Sequence, residues 1–249
     1  MCDVTSRQRL SAMYEAEFDQ FADEYRATHA QNIRASGEGP EYFAAYKVAD
    51  VAKVWAQRHP QGNPSPSILD FGGGTGNSVP FFRQHFPHSD LTCLDVSRKS
   101  LAIAQERFPG QANYLNFDGE TIPFPDQSLD IAFAACVFHH IPAELHHRLL
   151  QELWRVLKPG GCLFIFEHNP WNPLTVKAVN TCPFDENAVL ITGPSLGDRF
   201  RRAGFNRFQL RYRIFFPKPL AGLRILEPYL TWLPLGAQYY VLGHKLAQA

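Results

Sequence analysis

The segment ILDFGGGTGNSV, residues 68–79, contains glycines and a carboxylate. Together they could hold a ligand against bare backbone. Four glycines occupy five positions and give the spacing G-x-G-x-G at Gly72, Gly74 and Gly76, with Asp70 two residues ahead. Glycine lets a turn take positive φ and removes the Cβ atoms that would keep a ligand away. The segment therefore predicts a ligand-binding turn, although a purely structural tight turn has the same signature.

Two further carboxylates follow the next predicted strands. Asp95 and Val96 end the segment LTCLDVS, and Phe117, Asp118 and Gly119 open the segment FDGETIPFP. A carboxylate at the position of Asp95 can accept hydrogen bonds from both hydroxyls of a ribose. Alternatively, it can be a carboxylate at the start of a helix. Asp118 can accept a hydrogen bond from the exocyclic amine of adenine while Phe117 covers the ring. Alternatively, Asp118 can be an aspartate of a tight turn.

Histidines are the candidate catalytic bases. His139 and His140 lie in VFHHIP, and His168 follows an apolar strand in FEHNPWNP. An unperturbed histidine pKa of about 6.5 suits proton removal near neutrality. The alternative for His168 is a bond to the irregular loop that follows, and the histidine pair need not be catalytic. No metal site is expected, because adjacent histidines point in different directions and the sequence places no third ligand.

Alternating strands and helices must position these groups. The predicted strands are SILDF, LTCLDV, ANYLNF, LDIAFAACVF, CLFIFEH, FQLRYRIFF and YYVLGHKL, and the clearest helices are VPFFRQHF and RKSLAIAQERF. This alternation predicts a mostly parallel sheet with both faces covered. Ligands of such sheets bind beyond the carboxyl ends of the strands, where the strand order reverses.

Helix ends are marked by particular residues. Ser97 is a plausible N-cap, and Pro142 is placed at the first position of a helix. That helix has a leucine at every fourth position, namely Leu145, Leu149, Leu153 and Leu157, and the sequence KPGG is expected to stop it. A later helix around 196–203 is expected to end at Gly204.

The sequence also indicates how the chain is divided into a cap and a core. Residues 1–60 read as a helical cap, interrupted at 35–42 and ended by the breakers of HPQGNPSP. Residues 61–249 form the core, with two segments longer than the core needs, at 169–192 and 217–236. Long loops at a sheet rim often form lids or substrate walls, although these could simply pack on the core. The second segment could also rest on a membrane surface.

Composition excludes several function classes. Hydrophobic residues make up 45% of the 249 residues and charged residues 19%, and the formal net charge is zero with no basic block, so no nucleic-acid partner is expected. The N-terminus lacks the apolar core of a signal peptide, and no run suits a transmembrane helix. Five cysteines without a CxxC pair favour reduced thiols in a cytoplasm, with Cys93, Cys136 and Cys162 as small buried hydrophobes.

The rival for the glycine turn is a nicotinamide dinucleotide site. Its fingerprint G-x-G-x-x-G, started at Gly72, places Asn77 where the third glycine belongs. The segments ILDFGGGTG, LTCLDVS, NFDGETIPFPDQSLDIAFAACVFHHI and LWRVLKPGG instead resemble, in this order, the motifs of class I S-adenosylmethionine-dependent methyltransferases. The resemblance is strong over residues 65–170. The segment FDQFADEYRA also resembles the helical cap of many such enzymes.

The resemblance implies a fold, a cofactor and a reaction. The implied fold is a Rossmann-like, doubly wound, seven-stranded, mostly parallel sheet with an antiparallel last strand. The implied cofactor is S-adenosylmethionine, with the glycines and Asp70 at its methionine part, Asp95 and Val96 at the ribose, and Phe117, Asp118 and Gly119 at the adenine. The expected enzyme methylates a small or lipid-like acceptor, more readily on oxygen. The alternatives are a nicotinamide-dependent oxidoreductase and a cofactor-binding module without activity.

Overall fold

Strands and helices alternate through residues 36–61 and 65–246, the parts of the chain that this computed structural model describes. The strands are β1 (Ser67–Phe71), β2 (Asp90–Asp95), β3 (Asn113–Asn116), β4 (Leu129–Ala135), β5 (Leu157–His168), β6 (Arg207–Arg213) and β7 (Gln238–His244). The α-helices are α1 (Pro40–Arg58), α2 (Val79–His85), α3 (Arg98–Arg107), α4 (Ala143–Val156), α5 (Pro173–Asn180), α6 (Gly193–Arg202) and α7 (Glu227–Leu230). Short 3₁₀ helices cover Phe138–His140, Pro183–Asp185 and Lys218–Leu226.

One seven-stranded sheet has the order β3-β2-β1-β4-β5-β7-β6. Strands β1 to β5 pair in parallel, whereas β7 runs antiparallel between β5 and β6. The predicted fold class, a mostly parallel sheet with an antiparallel last strand, is confirmed. The order reverses between β1 and β4, so their carboxyl ends meet where sheets of this kind bind ligands.

The central strands are apolar on both faces because helices cover both sides of the sheet. In β5, Leu163 and Ile165 join the cluster that includes Leu149 and Leu153 of α4. Phe164 and Phe166 point to the opposite face, into the cluster that α1, α2 and α3 help to form, where Val48, Val51, Trp55, Phe82 and Leu101 are buried. Alternation along one strand therefore builds two cores, and the sheet is held rigidly between them.

Some predicted element boundaries are confirmed and others are wrong. Ser97 caps α3 by accepting from the Ser100 N–H at 3.0 Å. Pro142 is the N-cap of α4 and not its first residue, so that prediction is wrong by one position. Leu157 was expected at the end of the leucine row, but it begins β5 and pairs with Leu129. The sequence KPGG lies inside β5, because the ladder between β4 and β5 starts before the glycines.

The structure describes part of the predicted cap and both long segments. Helix α1 ends at Arg58, before the predicted breakers, but the segment FDQFADEYRA lies outside the described residues. Residues 169–192 contain α5 and a 3₁₀ helix, and residues 217–236 contain a 3₁₀ helix and α7. In the described ranges, we find no helix with the length and apolar character needed to span a bilayer.

Candidate functional site

The turn after β1 is built by glycines in left-handed conformation, and one of them borders open space. Gly72, Gly74 and Gly76 have φ of +72°, +50° and +78°. A Cβ on Gly72 would lie 2.4 Å from Cγ2 of Val137, and one on Gly76 would lie 3.1 Å from Cβ of Ala104, so close packing requires glycine at both positions. A Cβ on Gly74 would meet no described atom within 4 Å. Gly74 is therefore where bare backbone borders space for a ligand.

Asp70, at the end of β1, is a buried acid with an unused oxygen. Its side chain is 2% exposed, and Oδ2 has no hydrogen-bond partner among the described residues. Burial, and then the charge of Asp95, raise the pKa of Asp70 to about 7, although Lys47 opposes the shift. A buried acceptor without a partner is costly, so this carboxylate suits a cationic ligand group that supplies the missing donor.

Asp95 joins the end of β2 to the glycine turn. Its Oδ2 accepts from the Gly74 N–H at 2.8 Å, and its Oδ1 accepts from the Ser97 N–H at 2.9 Å. A carboxylate offers about four acceptor sites, so these two bonds orient it without exhausting it. The helix-start role that the sequence allowed is therefore present, and a role toward ribose hydroxyls stays compatible with it.

Phe117 and Asp118 lie just beyond β3. Phe117 packs edge-on against Phe71 with ring centroids 5.5 Å apart. Asp118 Oδ1 accepts from the N–H groups of Glu120 and Thr121, each at 2.8 Å, which is the turn role that the sequence also allowed. These bonds fix the carboxylate beside the strand end.

Val96 and Gly119 meet between the ends of β2 and β3. A Cβ on Gly119 would lie 3.5 Å from Cγ1 of Val96, and Gly119 has a φ of +79°. All nine predicted cofactor-binding positions thus fall at the ends of β1, β2 and β3 or on the loops that follow them. The sheet order places these loops side by side, so the prediction of one continuous site remains geometrically coherent.

His139 is held as a cation between two carboxylates. Its Nδ1 lies 2.5 Å from Glu167 Oε2, and its Nε2 lies 3.5 Å from Asp185 Oδ1. Burial alone would lower the pKa of His139, but the charge of Glu167 and the hydrogen bonds to both carboxylates raise it to about 10. A histidine with protons on both ring nitrogens at neutral pH cannot accept another proton. This geometry therefore argues against the predicted base role of His139.

The two adjacent histidines converge, contrary to the expectation that they diverge. His140 Nε2 lies 3.4 Å from the same oxygen of Asp185 that faces His139. The 3₁₀ helix over Phe138–His140 brings both rings to one side, and Asp185 comes from a second 3₁₀ helix more than forty positions along the chain. Burial, and then the charge of His139, lower the pKa of His140 to about 3.

Cys136 and its neighbours form a polar cluster at the end of β4. We call Lys47, Cys136, His168 and Gln238 the Cys136 cluster. Lys47 Nζ lies 3.3 Å from Cys136 Sγ, and Gln238 Nε2 lies 3.7 Å from the same sulfur and 3.4 Å from His168 Nδ1. Cys136 also has a φ of +59°, a strained conformation for a residue with a side chain.

The environment of Cys136 corrects its predicted role as a small buried hydrophobe. Its side chain is half-buried, whereas Cys93 and Cys162 are buried as predicted. Burial would raise the pKa of the Cys136 thiol, but Lys47 and then His168 lower it to about 6. The Cys136 thiol is therefore more acidic than an ordinary cysteine thiol.

Comparison with known proteins agrees with this arrangement. Residues 69–165, from β1 to β5, match the family described as methyltransferase domain. Residues 69–165 form a methyltransferase domain of the S-adenosylmethionine-dependent kind. The cofactor of this domain is S-adenosylmethionine. The unpaired Oδ2 of Asp70 and the open space beside Gly74 fit a ligand with an amino group that lies against the backbone.

Relatives resemble the methyltransferase domain over part of their length. A ubiquinone/menaquinone biosynthesis C-methyltransferase from Ectopseudomonas mendocina is 30% identical over 128 residues, which are 49% of this chain and 49% of that protein. A malonyl-[acyl-carrier protein] O-methyltransferase from Marinomonas sp. is 35% identical over 101 residues, 40% of this chain and 37% of that protein. The chain thus spans about half or less of the length of these curated relatives.

A solved structure shares the fold. A methyltransferase from Thermotoga maritima, described as a possible histamine N-methyltransferase, has a TM-score of 0.63 and 22% identity, covering 93% of this chain and 99% of that chain. This similarity covers more of the chain than the matched domain does.

Sequence reasoning missed Lys47, Asp185 and Gln238 as members of the site. A signal existed for Lys47, because it interrupts a row of buried residues spaced four apart in α1, formed by Phe43, Val51 and Trp55. A lysine is rarely fully buried without a partner, so its place in that row indicates a polar neighbour. The other two residues become recognisable only through contacts between elements distant in the sequence.

Proposed function

We propose that the chain transfers a methyl group from S-adenosylmethionine to a small or lipid-like acceptor, and that the methylated atom is oxygen rather than nitrogen or carbon. The observation that carries the proposal is the buried Asp70 carboxylate, whose Oδ2 has no partner among the described residues beside a glycine turn that borders open space. The matched relatives are named as C- and O-methyltransferases, so the preference for oxygen rests on the candidate base.

Each strand-end residue has a distinct task in this proposal. Asp70 binds the amino group of the cofactor, and Gly74 lets the cofactor lie against the backbone. Asp95 accepts hydrogen bonds from the ribose hydroxyls. Phe117 and Asp118 border the adenine, with Val96 and Gly119 lining the same place. When bound, S-adenosylmethionine supplies a methyl group activated by a sulfonium leaving group. The chain must then mainly position an acceptor, and positioning can contribute on the order of 7–11 kcal/mol.

His168 is the base that we propose for a hydroxyl acceptor. It lies half-buried at the end of β5, and its Nδ1 faces the Gln238 amide at 3.4 Å, which orients the ring. Tyr46 in turn donates its hydroxyl proton to Gln238 Oε1, so the amide is itself held in place. His139 already carries a proton in the arrangement described above, and His140 makes contact with Asp185. His168 makes neither contact, so it is the histidine that we propose as the acceptor of the hydroxyl proton.

The cofactor assignment is tested by thermal shift and by methyl transfer. S-adenosylhomocysteine is expected to raise the melting temperature, and NAD is not. Labelled methyl from S-adenosylmethionine is then expected to appear in an acceptor from a cell extract. Stabilisation by NAD alone would indicate an oxidoreductase, and binding of S-adenosylhomocysteine without label transfer would indicate a binding module.

The variant His168→Gln is expected to lower the rate of label transfer to hydroxyl acceptors by about 10²–10⁴-fold, as for loss of a general base. Its affinity for S-adenosylhomocysteine is expected to stay unchanged, because His168 ends β5, two strands along the sheet from the strand before the glycine turn. The control is His147→Gln on the exposed face of α4. An unchanged rate in His168→Gln would contradict the base role.

The two long segments form one exposed apolar surface. Ten of the twelve large apolar side chains that are exposed in the described residues lie in 169–192 and 217–236. The Asn169 side chain donates to the carbonyl of Gly236 at 2.8 Å, and that of Asn172 donates to the carbonyl of Leu235 at 2.8 Å, so the segments are tied together. We name this surface, with Trp171, Leu174, Ile225, Tyr229 and Trp232, the apolar rim.

We propose that the apolar rim rests on a membrane surface and that lipid-like acceptors enter there. Ile225, Tyr229 and Trp232 are 77%, 76% and 69% exposed, a combination of aliphatic and aromatic groups that suits the membrane interface. The one carboxylate within 217–236 is Glu227, which is buried and accepts from the N–H of Phe215 at 3.0 Å. Arg224 pairs with Glu38, so the outward charge of that segment is the exposed Lys218, a cation that suits an anionic lipid surface.

Vesicles of phosphatidylcholine containing phosphatidylglycerol are expected to sediment the protein. The double variant Tyr229→Ser/Trp232→Ser is expected to bind at least about tenfold more weakly, because each buried aromatic side chain contributes about 1.5–3 kcal/mol. Leu115→Ser, on the exposed face of β3, is the matched control and should bind normally. Equal sedimentation of all three proteins would contradict membrane contact.

A further inference from the structure

Two histidines and an aspartate converge beyond the end of β4. The Nε2 atoms of His139 and His140 lie 3.5 and 3.4 Å from Oδ1 of Asp185. One ligand atom from each of the three residues lies within 4.8 Å of the other two. These are the residue types that bind zinc and similar ions, and they meet at one point.

The spacing of these atoms also suits a shared ion. Strong N–H···O hydrogen bonds have lengths of about 2.7–3.2 Å, shorter than both contacts. In a tetrahedral zinc site with metal–ligand distances of about 2.0–2.1 Å, neighbouring ligand atoms lie about 3.3–3.4 Å apart. The two nitrogen–oxygen distances in this cluster, 3.5 and 3.4 Å, match that edge length closely.

The outer contacts of His139 are those of a metal-binding histidine. Its Nδ1 lies 2.5 Å from Glu167 Oε2, while Glu167 Oε1 accepts from the Phe138 N–H at 2.8 Å. Metal-ligating histidines commonly donate their second ring N–H to a carboxylate, which fixes the tautomer and the ring. Here that bond leaves Nε2 as the nitrogen that faces Asp185 and His140.

The charges of the cluster can be balanced by a divalent ion. Glu167 and Asp185 contribute two carboxylates, and their side chains are 0% and 13% exposed. If the ion displaces the proton on Nε2 of His139, two neutral imidazoles and one divalent ion bring this largely buried group to zero net charge. Buried carboxylates need such compensation, since uncompensated charge in a protein interior is costly.

We propose that His139, His140 and Asp185 bind one divalent metal ion of the zinc type, with Glu167 as the outer-shell carboxylate. Two nitrogens and one oxygen favour Zn²⁺ or Co²⁺ over Mg²⁺ or Ca²⁺, which take oxygen ligands. Three protein ligands leave the fourth position of a tetrahedral ion open to solvent or to an oxygen of a bound molecule. The site does not depend on the proposed methyl transfer, because metal binding is measured by itself.

Calorimetry and absorption spectroscopy on the full chain test the site. After treatment with EDTA and removal of the chelator, the protein is expected to bind one Zn²⁺, and Co²⁺ is expected to give the intense visible bands of a tetrahedral complex. Loss of an outer-shell partner alone lowers metal affinity by about 10–100-fold. Removal of a direct ligand in His140→Ala or Asp185→Asn is therefore expected to weaken Zn²⁺ binding by at least about 100-fold.

The matched controls are His147→Ala and Asp198→Asn, which change the same residue types at exposed positions of α4 and α6. Equal Zn²⁺ affinity in all four variants, or no saturable binding by the unaltered chain, would overturn the proposal. Thermal melts in EDTA check that each variant folds. If a ligand variant does not fold, electron spin echo spectroscopy of the Cu²⁺-loaded unaltered chain decides, because two imidazole nitrogens must appear at the ion.

Discussion

Replacing Asp70 with asparagine is expected to weaken S-adenosylhomocysteine binding by about 10–100-fold, and yet to raise the melting temperature of the ligand-free protein. The loss of affinity follows from the loss of a charged hydrogen bond, which contributes about 1.5–3 kcal/mol. The gain in stability follows from burial, since Asp70 is 2% exposed and its Oδ2 lacks a partner in the described protein.

The pH dependence separates these two effects. The pKa of Asp70 rises from its ordinary value of 3.8 to about 7 in the folded protein, so the folded state binds more protons in that range. Its contribution to stability is fully present below pH 3.8 and is lost as the pH rises to about 7. One pKa unit corresponds to about 1.4 kcal/mol, so the ionised side chain costs up to about 4 kcal/mol above that range.

Thermal melts of the ligand-free proteins are therefore informative at two pH values. The variant Asp70→Asn is expected to melt up to about 8–16 °C higher than the unaltered chain at pH 8, and near the same temperature at pH 4. The control is Asp198→Asn, which removes one exposed carboxylate from α6. Calorimetry with S-adenosylhomocysteine provides the affinities. An unchanged affinity would show that another group holds the amino end of the cofactor.

Replacing Glu167 with alanine is expected to destabilise the protein by about 3–5 kcal/mol, as for removal of one partner of a buried ion pair. Glu167 is 0% exposed and accepts from the N–H groups of Val137 and Phe138 as well as from His139. The substitution leaves the buried His139 cation and two backbone donors without their acceptor. Because these contacts join β5 to the loop after β4, the loss is expected to affect the whole fold.

Denaturant unfolding in EDTA measures this effect without any metal contribution. The matched control is Glu120→Ala, which breaks the surface pair with Arg148, where the side chains are 24% and 43% exposed. Exposed pairs contribute about 0–1 kcal/mol, so the two variants should differ severalfold. A loss in Glu167→Ala no larger than that in Glu120→Ala would show that the buried pair contributes little net stability.

The sequence determines the parts of this protein that depend on local pattern. Apolar runs in β1, β4 and β5, the glycine turn and the cap at Ser97 follow from side-chain periodicity and backbone freedom within a few residues. The motif order is enough to indicate the methyltransferase domain and its cofactor. Even there, contacts refine the roles, because packing requires glycine at Gly72 and Gly76, whereas Gly74 is the one of these three that borders open space.

Tertiary structure decides everything that depends on two distant segments meeting. Cys136 appears in the sequence as one more apolar residue of a strand, and its thiol becomes more acidic than an ordinary one only because Lys47 of α1 and His168 of β5 reach it. His139 and His140 converge because a loop far along the chain brings Asp185 between them. Periodicity reports which face a residue occupies, but charge and protonation depend on neighbours through space, and chain topology sets those neighbours.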